Sequence, residues 1–174
     1  MNFDLEKSLE ILNRTPAVLT TLLSGLSDEW LKSNEGENTW SPYDVVGHLI
    51  HGEKTDWLER TKIILSSSDN KTFKPFDRFA QLNADQNKSI NDLLSEFSEL
   101  RQKNLAELNA LNITDDHLSM KGIHPALGEV TLKQLLSCWT VHDLGHLAQI
   151  SRVMAKQYKS EVGPWIEYLG VLNR

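Results

Sequence analysis

The chain has one cysteine, Cys138, in 174 residues, so neither an intrachain disulfide nor a cysteine-based zinc finger can form. No apolar run approaches the roughly 18 residues of a membrane-spanning helix, and no membrane association is expected. Bases are in the minority: 18 Lys and Arg stand against 24 Asp and Glu, a formal net charge of −6. A nucleic-acid partner calls for a basic surface over its phosphates, and this balance speaks against one. Met1-Asn2-Phe3-Asp4-Leu5-Glu6 lacks the basic-then-apolar order of a signal peptide, so the expected location is the cytoplasm. Val and Ile are sparse and no stretch alternates with period two, which leaves little material for a sheet. A nucleophile elbow, a P-loop, a dinucleotide fingerprint and an internal repeat are all missing.

Helical periodicity is plentiful. Apolar residues make up 40% and charged residues 24%, ordinary globular values, and the length suits one domain over residues 1–174. Leu5, Leu9, Leu12, Leu19, Leu22 and Leu23 recur by threes and fours, interrupted by Pro16, which predicts one kinked helix or two short ones. Ser41-Pro42-Tyr43-Asp44 opens a second helix with a capping box, running to about Leu65. Residues 66–82 are aperiodic but aromatic, with Phe73, Phe76 and Phe79, and read as an ordered crossover. Ser89 and Asp92 cap a third helix to about Leu111, and Thr131 and Gln134 a fourth to about Tyr158. Residues 112–130 read as loop with a short helix near Thr114. The fold expected is all-α: a four-helix bundle with a long crossover between the second and third main helices.

The histidines cluster in this pattern. His142 and His146, four apart, stand one above the other on the last helix and continue its apolar stripe through Leu135, Trp139, Ile150 and Val153. Two imidazoles facing a core must each find a partner: a metal ion takes both lone pairs, or nearby backbone and hydroxyl groups satisfy them. His48, on the inward side of the second helix, adds a ligand from a facing element. Three histidines leave one position of a zinc ion open, the catalytic pattern, while imidazoles suit nickel, copper and iron as well. Gly47, Gly52 and Gly145 lie within four residues of His48 or His146, at a cost of about 1 kcal/mol each in a helix, and mark either close packing or a pocket. His51 is open to use as a fourth ligand, an acid–base group or a partner behind the ligands, with a partly exposed, inert histidine the favoured reading, and His117 reads as a solvent-exposed residue of a first helical turn. His124 is a candidate substrate contact on a loop, and Cys138 a small core residue. Asp44, Glu53, Asp56 and Asp143 are the carboxylates near the site, of the kind that accept the second N–H of a metal-bound histidine, although Asp143, beside His142, points about 100° away.

Trp40-Ser41-Pro42 leading into Gly47-His48-Leu49-Ile50-His51-Gly52-Glu53, together with Val141-His142-Asp143-Leu144-Gly145-His146-Leu147-Ala148-Gln149-Ile150, resembles the DinB-like (DinB/YfiT-type) metal-binding four-helix bundle family. Gly163-Pro164-Trp165 and Tyr168-Leu169 fit the family's ending. The resemblance implies a divalent metal, zinc or nickel, held by His48, His142 and His146. It further implies a small-molecule substrate, a homodimer, and chemistry like that of S-transferases using a low-molecular-weight thiol. An open metal site serves a hydrolase equally, and a bundle whose metal is only structural is the third expectation.

Overall fold

Local capping starts each long helix where the sequence predicts. In the computed structural model, which describes residues 1–83 and 87–173, α1 spans Leu5–Leu23, α2 Asp28–Lys32, α3 Pro42–Thr55, α4 Trp57–Leu65, α5 Ile90–Ala110, α6 Asp115–Leu118 and α7 Leu132–Lys156. The capping boxes Ser41/Asp44, Ser89/Asp92 and Thr131/Gln134 are all formed. A cap of this kind contributes about 1 kcal/mol to its helix. Helix α1 packs on α5 and α7, and α3 on α5 and α7, which closes the four-helix bundle; α4 continues α3 along α7. Among the described residues no helix is long and apolar enough to cross a membrane.

The first helix takes the unsplit alternative, and the second departs from the sequence reading. Pro16 neither splits nor ends α1. A proline cannot donate to the carbonyl four residues back, here that of Leu12. Arg101 of α5 supplies the missing donor, its Nη1 lying 2.9 Å from that carbonyl oxygen. The second predicted helix is broken instead: Asp56 takes φ −118° and ψ −82° between α3 and α4. The break re-phases the chain, so Trp57 turns inward and stacks on Trp139 with ring centroids 5.9 Å apart. Apolar spacing continues smoothly through residue 56, so periodicity gives no sign of it.

The apolar core has two parts. Leu19, Val46, Leu49, Phe97 and Ile150 belong to one cluster, and Leu12, Ile64, Leu108, Leu136 and Trp139 to the other. Arg101, Glu53, Asn104 and Asp143, all buried, lie between them.

Residues 112–130 hold more than the expected loop and short helix. After α6 comes a hairpin of β1 (Lys121–His124) and β2 (Gly128–Thr131), antiparallel, with Gly122 opposite Val130. Four-residue strands are too short to show a period. The crossover adds a parallel bridge, Phe73 N–H to Ile123 O and Ile123 N–H to Lys71 O, each 2.9 Å. Gly122 permits that contact, because a Cβ there would lie 2.5 Å from Phe73 Cε1 and 2.9 Å from Ile64 Cγ1. Gly122→Ala should therefore destabilise the protein by about 1–3 kcal/mol, the usual cost of overpacking. Urea denaturation checks this, and an unchanged midpoint would contradict the docking of the hairpin.

Candidate metal centre

Helix α3 delivers His48 and α7 delivers His142 and His146 to one point, where one ligand atom of each lies within 4.8 Å of the others. His142 Nε2 is 3.1 Å from His48 Nε2 and 3.0 Å from His146 Nε2. Nitrogens bound at about 2.0–2.1 Å to one tetrahedral ion stand about 3.3–3.4 Å apart, so this spacing fits a shared divalent cation. Mutual hydrogen bonding satisfies the set less well: His142 Nε2 carries either one proton or one lone pair, so only one of its two short contacts can be a well-aligned hydrogen bond. His142 Nδ1 is buried with no hydrogen-bond partner among the described residues. His146 Nδ1 is 2.8 Å from Gln149 Oε1, an arrangement that places the ring proton on Nδ1 and frees the Nε2 lone pair.

The surroundings keep these rings neutral. Burial first, then the neighbouring His146 and His48, pushes His142 down to about 3. Burial and the His146 and His51 rings push His48 down to about 4. Burial also lowers His146, against the opposing pull of Gln149 and Asp143. Trp40 packs on two of the rings, with centroids 4.7 Å from His48 and 6.2 Å from His146, and Trp57 lies 5.0 Å from His142. A deprotonated set of imidazoles is what a cation needs.

The three rings form one end of a cavity of about 990 Å³. Its walls are aromatic, with Trp40, Trp57, Phe73 and Phe76, and the hairpin residues His124 and Leu127 face it from above. One ion pair is built into the wall: Asp56 and Arg60, both buried, with Arg60 Nε 2.6 Å from Asp56 Oδ1. Burial outweighs the attraction of Arg60 and pushes the Asp56 carboxyl up to about 6. The side chain of Asp56 does not cap α4; the backbone break turns it to the cavity instead.

The other candidates fall elsewhere. His51 stays outside the cluster, against Phe76 and 3.4 Å from Thr55 Oγ1. His117 is half-buried and caps α6, its Nδ1 accepting the Thr114 N–H. His124 does reach the cavity, while its Nδ1 accepts the Ala126 and Leu127 N–H groups of the hairpin turn. Cys138 is not a core residue: it is exposed and lines the cavity. Two of the three helical glycines serve packing, since a Cβ at Gly47 would meet Gln81 at 3.0 Å and one at Gly52 would meet Trp57 at 3.2 Å, while Gly145 faces open space. Sequence reasoning missed Gln149, although its i+3 spacing from His146 is a readable signal. It also missed the roles of Asp56 and Arg101, which depend on a backbone break and on contacts between distant helices.

These shifts set a pH dependence. A histidine whose folded pKa lies below its unfolded value of about 6.5 contributes stability above that value and loses it as pH falls towards the folded one. Three rings act in this sense. Asp56, raised to about 6, acts in the opposite one. The metal-free protein should thus lose about 2 kcal/mol or more between pH 7 and pH 4. Denaturant titrations across that range measure it, and flat stability would refute the neutral, buried placement of the rings.

The profile of the DinB superfamily matches residues 11–150, which include all three clustered histidines. Among solved structures, YfiT from Bacillus subtilis, described as a probable metal-dependent hydrolase with an unusual four-helix bundle topology, matches with a TM-score of 0.73 and 20% identity. The match covers 89% of this chain and 87% of that one, and at this identity it shows a shared fold. No curated protein matches the chain significantly. Because the profile spans most of the sequence and the bundle agrees with it, the chain belongs to the DinB superfamily.

Proposed function

We propose that this protein is a metal-dependent hydrolase that holds a divalent ion, zinc or nickel, on His48, His142 and His146 and acts on a small, largely apolar molecule in the adjoining cavity. The observation that carries the reading is the buried Asp56 carboxyl in the wall of the cavity that the three imidazoles close. A divalent ion, when bound, supplies Lewis acidity and lowers the pKa of a nucleophile beside it. Near 6, the Asp56 carboxylate is ionised at neutral pH and basic enough to take a proton and return it to a leaving group. Arg60 holds that carboxylate in place, and the Phe73 ring lies 5.2 Å from the Arg60 guanidinium carbon. The volume is of the size that holds a small organic ligand, and residues of the hairpin and the crossover line it. YfiT, called a probable metal-dependent hydrolase, supports the same direction.

A second reading, transfer of a low-molecular-weight thiol, draws support from Arg78 and His124 in the same wall, cationic or polar groups suited to the carboxylates of such a thiol. The open cavity weighs against a purely structural metal, for which a closed four-ligand site is usual.

Protein loaded with zinc or nickel and assayed with a nitrophenyl ester, and in parallel with glutathione or bacillithiol and a chloronitrobenzene, separates the two readings. Asp56→Asn should lower ester hydrolysis by about 10²–10⁴-fold with metal content unchanged. In the parent, activity should fall as pH drops through about 6, where the Asp56 carboxyl takes up its proton. Equal activity in Asp56→Asn would remove the hydrolase reading, and conjugation without hydrolysis would establish the second. Chelated protein should remain helical and cooperative, because the two apolar clusters lie outside the histidine cluster. It should melt earlier, by the linkage of an ion bound only to the native state.

A further inference from the structure

The polar layer between the two apolar clusters carries more carboxylate than cation. Arg101, on α5, uses all five of its N–H donors: Nε and Nη2 to Glu53 Oε1 at 3.1 and 2.8 Å, Nη1 and Nη2 to Asp143 Oδ2 and Oδ1 at 2.6 and 3.0 Å, and Nη1 to Leu12 O at 2.9 Å. Glu53 receives two further donors, Asn104 Nδ2 at 2.9 Å and Trp139 Nε1 at 3.2 Å. Both carboxylates are thus surrounded by N–H donors, the partners of the ionised form. The Glu53 and Asp143 side chains are wholly buried and that of Arg101 is 1% exposed. One guanidinium between two carboxylates leaves one buried negative charge without a counter-ion inside the cluster.

The placement of the two acids gives that excess a direction. Glu53 is on α3, the helix of His48, and Asp143 is on α7, next to His142 and three residues before His146. The cluster and the histidines are therefore carried by the same two helices, which Arg101 bridges through Glu53 and Asp143. Charge–charge interactions weaken only as the inverse of distance and are screened little in a buried region. Such a cluster has small net worth for stability, since desolvation offsets most of its attraction.

We infer that Glu53, Arg101 and Asp143 are positioning residues of the three-histidine site, fixing the register of α3 against α7 and favouring a doubly charged ion there through their excess negative charge. The inference rests on the three-histidine reading above. It assigns to the cluster a ligand preference, divalent over univalent or neutral, that the imidazoles alone do not supply.

Cobalt(II) titration of the full-length protein, followed by visible absorption, tests it with Asp143→Asn and Glu53→Gln. Each change keeps the side-chain shape and removes one negative charge. The expected result is a loss of cobalt(II) affinity of about 10–100-fold, the range typical of groups behind metal ligands, in variants that remain folded by circular dichroism. Folded variants with parental affinity would overturn the inference and assign the cluster to the fold alone. If Asp143→Asn does not fold, Glu53→Gln decides, and failure of both to fold overturns the inference in the same way. Parental protein that binds no cobalt(II) would overturn the three-histidine reading itself, a result distinct from unchanged affinity in the variants.

Discussion

The Arg101 guanidinium ties all four long helices of the bundle to one another. It bonds the backbone of α1, carboxylates of α3 and α7, and its own helix is α5. Its flat faces are used too, with the guanidinium carbon 4.9 Å from the Phe97 ring centre and 5.3 Å from that of Trp139. Phe97 belongs to one apolar cluster and Trp139 to the other, so the cation is the seam at which two separate cores meet. Removing one partner of such a buried group strands the rest at a cost of about 3–5 kcal/mol, whereas replacing the whole group with apolar residues can be neutral. What the seam provides is uniqueness: only one sliding position of each helix satisfies all five donors.

Pro16 makes sense in that setting. An internal proline normally costs a helix about 3 kcal/mol, partly because a carbonyl loses its donor. Here the orphaned carbonyl of Leu12 is an acceptor that only a residue from another helix can reach, and α1 is thereby locked to the seam. A local defect has become a long-range constraint.

Much of the fold was legible because it depends on neighbours in sequence. Ser41, Ser89 and Thr131 cap through residues three positions on, and the leucine stripe of α5 needs only the period of its own helix. The histidine cluster was legible for a similar reason: His142 and His146 declare a shared face by spacing, and only His48 had to come from elsewhere. What was not legible lies between elements. Asp143 reads as pointing away from the histidines, and it does; that its destination is Arg101, 42 residues earlier, has no local signature. The break at Asp56 is equally silent, since Ile50 and Trp57, seven residues apart, keep the helical phase across it, while the Trp57–Trp139 stack and the Asp56–Arg60 pair form only in the folded chain. The hairpin escaped because strands of four residues cannot display alternation.

The parallel bridge between Thr72 and Ile123 joins two stretches of chain that belong to no bundle helix. Together they roof the cavity, while the floor, with its imidazoles, belongs to helices fixed by the seam. Roof and floor are under different pressures. Substitutions in the floor disturb the register of the whole bundle, whereas insertions and side-chain changes in the roof alter the outline of the chamber at little cost to the fold. A lineage built on this plan can remodel the chamber by rewriting its connecting segments, while the histidine cluster stays where the bundle helices put it.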